Sequence, residues 1–134
     1  MQDATTAVDR AWIRPWLRAE GAAVFAAGLA GFLAMGLPWW GFAALLLVPD
    51  SSMVGYLRGP RVGALVYNVV HDLATGVAVA AIGLATGSIA IAAIGAILVA
   101  HSGMDRLAGY GLKYPGAFRD THLGRIGRED RAQS

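Results

Sequence analysis

Ile97-Leu-Val-Ala-His-Ser-Gly-Met-Asp-Arg-Leu-Ala-Gly-Tyr-Gly-Leu-Lys113 is the stretch that decides how this chain folds. It starts as apolar helix and, without leaving that pattern, takes up His101 and Asp105. The two lie four apart, so on a helix they share one face. The preceding run from Ser88 to Ala100 carries no charge. In hydrocarbon each charged side chain costs roughly 2.5–3.5 kcal/mol on insertion scales, so an ionisable pair here points to a functional site turned toward protein.

Composition supports a membrane setting. The 134 residues are 56% hydrophobic and 15% charged, with mean hydropathy +0.51. Soluble domains carry about 25% charged residues, so the composition argues against an ordinary water-soluble fold. The chain has no cysteine, which removes disulfide frames and thiolate sites. Its 18 glycines suit membrane helices that pack backbone to backbone. Residues 1 to 10 hold Asp3 and Asp9 and no basic region before an apolar core, so the first apolar run is expected to stay uncleaved.

Outward from the central stretch, the pattern predicts an all-α polytopic membrane protein: four transmembrane helices in a compact bundle, forming a single domain. Helices are expected over about 12–37, 39–58, 61–85 and 88–112, followed by a basic tail over 113–134 with Arg119, His122, Arg125, Arg128 and Arg131. Trp12 and Trp16 with Arg14 and Arg18 have the chemistry of a membrane interface. The second crossing is interrupted at Pro49-Asp50, so a break is expected at Pro49 with Asp50 inside the membrane. In the third, Asn68, His71, Asp72 and Thr75 follow helical spacing and are expected to form one polar stripe. The turns at Pro38 to Trp40 and Ala85 to Ser88 hold no Lys or Arg, while Arg10, Arg14, Arg18, Arg58, Arg61 and Lys113 gather on the other side. The positive-inside rule then places both termini in the cytoplasm, in the inner (plasma) membrane of a cell. Membrane lipids and a second copy of the chain are the expected partners; nucleic acid is not.

The two hairpins also resemble each other. Gly21 to Ala30 aligns with Gly76 to Ala85 at an offset of 55 residues, and the same offset carries Asp50 onto Asp105, Arg58 onto Lys113 and Pro60 onto Pro115. Ala/Gly text matches itself by chance, so duplication and coincidence both stay open. If duplicated, the halves are parallel repeats, and Asp50 and Asp105 face each other across an axis along the membrane normal. Helix rise places Asp50 and Asp105 roughly 12 Å inside the basic boundary and His71 roughly 15 Å. Asp50, His71, Asp72, His101 and Asp105 are thus expected in one layer, with Ser52, Tyr56, Asn68, Arg106 and Tyr110 between it and water.

Pro49-Asp50-x-Ser52-Met53-x-Gly55-Tyr56, Gly59-Pro60-Arg61-x-Gly63, Tyr67-Asn68-x-x-His71, His101-x-Gly103-x-Asp105-Arg106-x-x-Gly109-Tyr110-Gly111-Leu112-Lys113-Tyr114 and Thr121-His122-Leu123-Gly124-Arg125 resemble the family catalogued as domain of unknown function 4260. The resemblance runs from about Leu17 to Gly127 and implies a small bacterial integral membrane protein. It brings no reaction. It does raise His122, whose motif could fold back as a lid.

The residues themselves point to several chemistries. His101, Asp105, His71 and Asp72 are candidate catalytic groups. Asp50, His71, His101 and Asp105 could hold a divalent metal such as zinc, manganese or iron. Asn68, Tyr56, Arg106, Tyr110 and Lys113 are candidate substrate contacts, the two cations suiting a phosphate or carboxylate head. The leading reading is a membrane-embedded metal-dependent or acid–base enzyme acting on a lipid-soluble or amphipathic substrate. A small oligomeric transporter or proton-coupled carrier is the alternative. Haem on His71 and His101 is weaker, because the aspartates suit a harder ion. A structural subunit, with Asp105 merely paired to Arg58, Arg61 or Arg106, stays open.

Overall fold

The computed structural model describes residues 2–115 and 120–126. The order is α1 (Gln2–Ala34), α2 (Trp39–Leu45), a 3-10 helix (Val48–Arg58), α3 (Pro60–His71), α4 (Leu73–Thr86) and α5 (Ile89–Ala108). An antiparallel pair, β1 (Asp120–Thr121) and β2 (Gly124–Arg125), follows. The fold is therefore all-α with a minimal hairpin at its end. Val8–Ala34, Trp39–Arg58 and Ile89–Ala108 are each long and apolar enough to cross a membrane. α3 and α4 make a fourth span if the pair, bent by 49°, is taken together. The outer surface is apolar to match, with Trp39, Leu57, Leu65, Ile82 and Leu84 exposed. In water such a continuous surface would drive aggregation. Arg119, Arg128 and Arg131 of the expected tail lie outside the described residues.

α5 is the central element, flanked along its length by α1 and α4. Hydrocarbon offers no hydrophobic drive between helices, so close backbone approach has to supply the packing. The glycines provide it. A Cβ at Gly21 would strike the Leu107 and Gly103 backbone, and one at Gly28 the Ala100 backbone. On the other flank, Gly83 sits on the Ala92 backbone and Gly95 on the Ala80 backbone. Toward α2 the seam becomes aromatic: Phe42 meets Phe25 and Phe32 edge-on at 5.9 and 5.6 Å. α5 begins at Ser88, whose side chain accepts from Ile91 N. It ends before Gly109, which has φ +91°, while Tyr110 N bonds the Asp105 carbonyl. Glycine's freedom at positive φ therefore stops the helix four residues short of the expected Leu112.

Two expected elements are built differently. The second crossing does not simply break at Pro49; all of Val48–Arg58 winds as a 3-10 helix. Runs of this kind longer than 3–4 residues are uncommon. Exposure follows its three-residue period. Pro49 and Ser52 are buried and Gly55 is half-buried, Asp50, Met53 and Tyr56 are half-buried, and Val48, Ser51, Val54 and Leu57 are exposed. Gly55 faces Val66, and Tyr56 lies on Gly63, so small residues let this segment approach α3. The longer rise, about 2 Å per residue, moves Asp50 to roughly 16 Å from Arg58, nearer the level of His71.

The third crossing is also not one helix. Asp72 is extended (φ −76°, ψ 131°) and its side chain accepts from Ala74 N, capping α4. Asn68, His71, Asp72 and Thr75 therefore do not form one stripe, because the chain turns at Asp72. The break frees the His71 carbonyl, and Ser102 Oγ donates to it at 2.8 Å. The two halves of the suspected repeat also differ in backbone: α5 is regular, while its counterpart is α2 followed by the 3-10 helix. Even so, Leu46 and His101, at the shared offset of 55, are in direct contact.

The packing predicts a sharp contrast between glycines. A Cβ at Gly103 would meet the Phe25 backbone, whereas Gly31 has open space around it. Gly103→Val should lower the thermal midpoint in detergent, at a cost of about 1–3 kcal/mol or more. Gly31→Ala should be neutral or stabilising by up to about 1 kcal/mol. Equal effects of the two would contradict the packing described.

Candidate metal centre

His71 from the end of α3 and His101 from the middle of α5 are almost fully buried, at 0% and 1% exposure. Their rings meet edge to face with centroids 4.8 Å apart. Each is held by its Nδ1. His71 Nδ1 is 2.8 Å from the Tyr67 carbonyl and His101 Nδ1 is 2.6 Å from the Leu46 carbonyl. A carbonyl oxygen only accepts, so each Nδ1 carries the proton. In the neutral ring, Nε2 is then a bare lone pair.

Both Nε2 atoms point into a carboxylate pair. Asp50 Oδ1 is 3.3 Å from His71 Nε2 and 3.2 Å from His101 Nε2. Asp105 Oδ2 is 3.8 and 3.5 Å from the same two nitrogens. Despite the 3.2 Å separation, His101 Nε2 makes no hydrogen bond among the described residues. Asp50, His71 and His101 each offer one ligand atom, all within 4.8 Å of one another. Zinc bonds to nitrogen and oxygen of about 2.0–2.1 Å in a tetrahedron leave ligand atoms about 3.3 Å apart. The observed spacings bracket that edge. A metal-bound histidine usually donates its other ring N–H to a carbonyl or carboxylate, which both rings here do.

Asp105 is buried and Asp50 is not: the Asp50 side chain is 41% exposed. The site therefore opens on the 3-10 side and is closed on the α5 side. Tyr67, absent from the sequence-based candidates, completes it. Its hydroxyl donates to Asp105 Oδ2 at 3.4 Å, and its ring stacks on His71 at 3.7 Å. Its position one turn before His71 could have revealed it, since residues four apart share a helix face. Ser102 and the Leu46 carbonyl were not legible in the same way.

The other candidates divide. Asp72 caps α4 and lies within electrostatic reach of Arg106, away from the imidazole nitrogens. Arg106 Nη1 donates to the Tyr110 carbonyl, and the Tyr110 ring is exposed. Asn68 spends its amide on the Lys113 backbone, donating to its carbonyl at 2.7 Å and accepting from its N–H at 2.6 Å. Lys113 is buried, with Nζ 5.0 Å above the Tyr67 ring. Burial lowers its ammonium pKa, and Asp105 partly offsets this. Tyr56 packs on Gly63 beside the site.

The chain after α5 does fold back. His122 N donates to the Leu112 carbonyl, and Leu112 N donates to His122 Nδ1 at 2.9 Å. Lys113 also bridges to Thr121. This double clasp anchors the segment whose Lys113 bonds Asn68 and lies over the Tyr67 ring. Burial and the nearby Arg106 lower the His122 pKa, partly countered by the Leu112 backbone.

A family model described as Domain of unknown function (DUF4260) matches residues 14–126. No curated protein and no solved structure matches the chain.

His122 predicts a pH dependence. Its folded pKa lies below the ordinary 6.5. As pH falls through 6.5 the unclasped chain gains a proton that the clasped one resists, so the clasp weakens toward acid and is unaffected above that value. Protonation also removes the acceptor that Leu112 N requires. The hydrogen-exchange protection factor of the Leu112 amide, with the intrinsic base-catalysed rate divided out, should fall below that pH in the native protein and lose this step in His122→Gln. A protection factor that does not change with pH in the native protein would refute the assignment.

Proposed function

The chain belongs to that family, and from the geometry of its site we propose a membrane-embedded divalent-metal protein acting on an amphipathic or lipid-soluble substrate. The observation that carries this is the convergence of two Nε2 lone pairs, oriented by carbonyl-bound Nδ1 atoms, on two carboxylate oxygens at 3.2–3.8 Å. Acceptor facing acceptor is repulsive unless a metal cation lies between or a proton sits on ring or carboxyl, as the 3.3 Å hydrogen bond between His71 Nε2 and Asp50 Oδ1 would require. Asp50, His71 and His101 would hold zinc, manganese or iron, and Asp105 stands beside them. Three protein ligands with an open position are the pattern of catalytic rather than structural zinc. Such an ion activates water or polarises a substrate oxygen. Asp105, hydrogen-bonded to Tyr67, is placed to take or return the proton.

Both termini would face the cytoplasm. Arg10, Arg14, Arg18, Arg58 and Arg61 gather at one end of the helices, while the opposite turns at 35–38 and 87–88 carry no cation. The site then lies below the inner surface of the plasma membrane. Two protons would neutralise the same carboxylates as one divalent ion, so a proton-coupled carrier is the second reading. Asp50, partly exposed between buried imidazoles, is what favours it. Haem fits poorly, since ring centroids 4.8 Å apart leave no room for a porphyrin between them.

Elemental analysis of protein purified without chelators decides between ion and proton. Close to one zinc, manganese or iron per chain is expected. His101→Ala and Asp50→Asn should weaken the metal by tenfold or more, and Asp105→Asn by a smaller factor. Asp72→Asn, which keeps the α4 cap, should leave it unchanged. A chain that binds none of these ions, even when they are supplied, would overturn the metal reading.

A further inference from the structure

Resting on the metal-site reading, we propose that the apolar groove beside the 3-10 helix holds the hydrocarbon chain of a single-chain amphiphile, its oxygen-bearing end directed to Ser52 and Asp50. The groove encloses about 940 Å³, near the top of the roughly 300–1,000 Å³ range of ligand pockets. Its walls include Val66 and Val70 of α3 and Ala93, Ile94 and Ile97 of α5. One end is at Pro38, before α2, and Ile89, the first residue of α5. At the other end the lining residues are chain neighbours of the candidate ligands: Pro49 and Ser51 flank Asp50, Val70 precedes His71, and Ile97 stands one turn before His101. Along α5 the span from Ile89 to Ile97 is about 12 Å.

Ser52 says what kind of molecule fits. It lines the groove, is only 9% exposed, and its Oγ has no hydrogen-bond partner among the described residues. A buried hydroxyl without a partner costs energy that an ordinary lipid tail cannot return. A carboxylate, hydroxyl or carbonyl at the end of the occupying chain can. The same oxygen-bearing end suits a hard divalent ion next to Asp50. A two-chain phospholipid fits less well. Its bulky head would have to be drawn roughly 16 Å below the interface, at a large desolvation cost.

The test is photolabelling in nanodiscs with decanoic acid bearing a chain diazirine, with metal content measured on the same preparation. Labelling at Val66–Val70 and Ala93–Ile97 should saturate and be displaced by unlabelled decanoic acid. Ser52→Ala should weaken it about tenfold, the equivalent of one hydrogen bond. The groove-filling pair Ala90→Trp and Ile94→Trp, both on the exposed face of α5, should abolish it while metal content holds. Non-saturable labelling that is equal at lipid-facing Leu65 and Leu84 would overturn the proposal. So would cross-links showing a second copy seated in the groove. Metal present without saturable labelling sinks the chain site alone; saturable labelling without metal sinks the metal reading and leaves the chain site standing.

Discussion

Two backbone carbonyls freed deep among the helices, those of Leu46 and His71, constrain everything around them. In hydrocarbon an unpaired carbonyl costs several kcal/mol, so broken helix survives only where protein supplies a partner. Asp50 N turns to the Leu47 carbonyl as the 3-10 helix begins. That leaves the Leu46 carbonyl open, and His101 takes it. The turn at Asp72 leaves the His71 carbonyl open, and Ser102 takes it. Adjacent residues of α5 thus close both breaks. Without the breaks His101 would have no carbonyl to fix its tautomer; without α5 the breaks would not be tolerated.

The chemistry of the centre follows from that arrangement. Fixing Nδ1 by a carbonyl settles which nitrogen faces inward, and it does so for both rings independently. The carboxylates then come from opposite environments. Asp105 is carried by the rigid, glycine-packed α5 and is buried beneath Tyr67. Asp50 is carried by the 3-10 helix and is partly exposed. One acid is therefore held by its surroundings, and the other sits at the opening. This division suits a site that must keep a cation yet admit a second molecule.

Much of this was legible in the sequence, for a physical reason. Charges inside apolar text are expensive, so Asp50, His71, His101 and Asp105 stand out wherever they are read. Their spacing from the flanking basic residues predicts a shared level, and the four do converge. Helical periodicity failed where the backbone leaves the α-helix. Asp72 fits the polar stripe by spacing but is a helix cap, a role to which aspartate is well suited. Pro49 reads as a single break, but it opens eleven residues of 3-10 helix, a form too rare to expect. The carbonyl partners were not legible, because every residue carries one and the sequence does not distinguish them.

The asymmetry between the two halves bears on how such a site could arise. Leu46 aligns with His101, and Asp50 with Asp105, at one offset, and both pairs meet at the centre. A duplicated hairpin would bring equivalent residues together across its axis in this way. The two halves nevertheless differ in backbone: one is a regular helix and the other winds into a 3-10 segment. A symmetric pair of regular helices would bury both aspartates alike and leave no freed carbonyl at Leu46. The distortion of one half both orients His101 and exposes Asp50. Departure from symmetry is therefore what turns a buried acidic pair into a centre with an entrance.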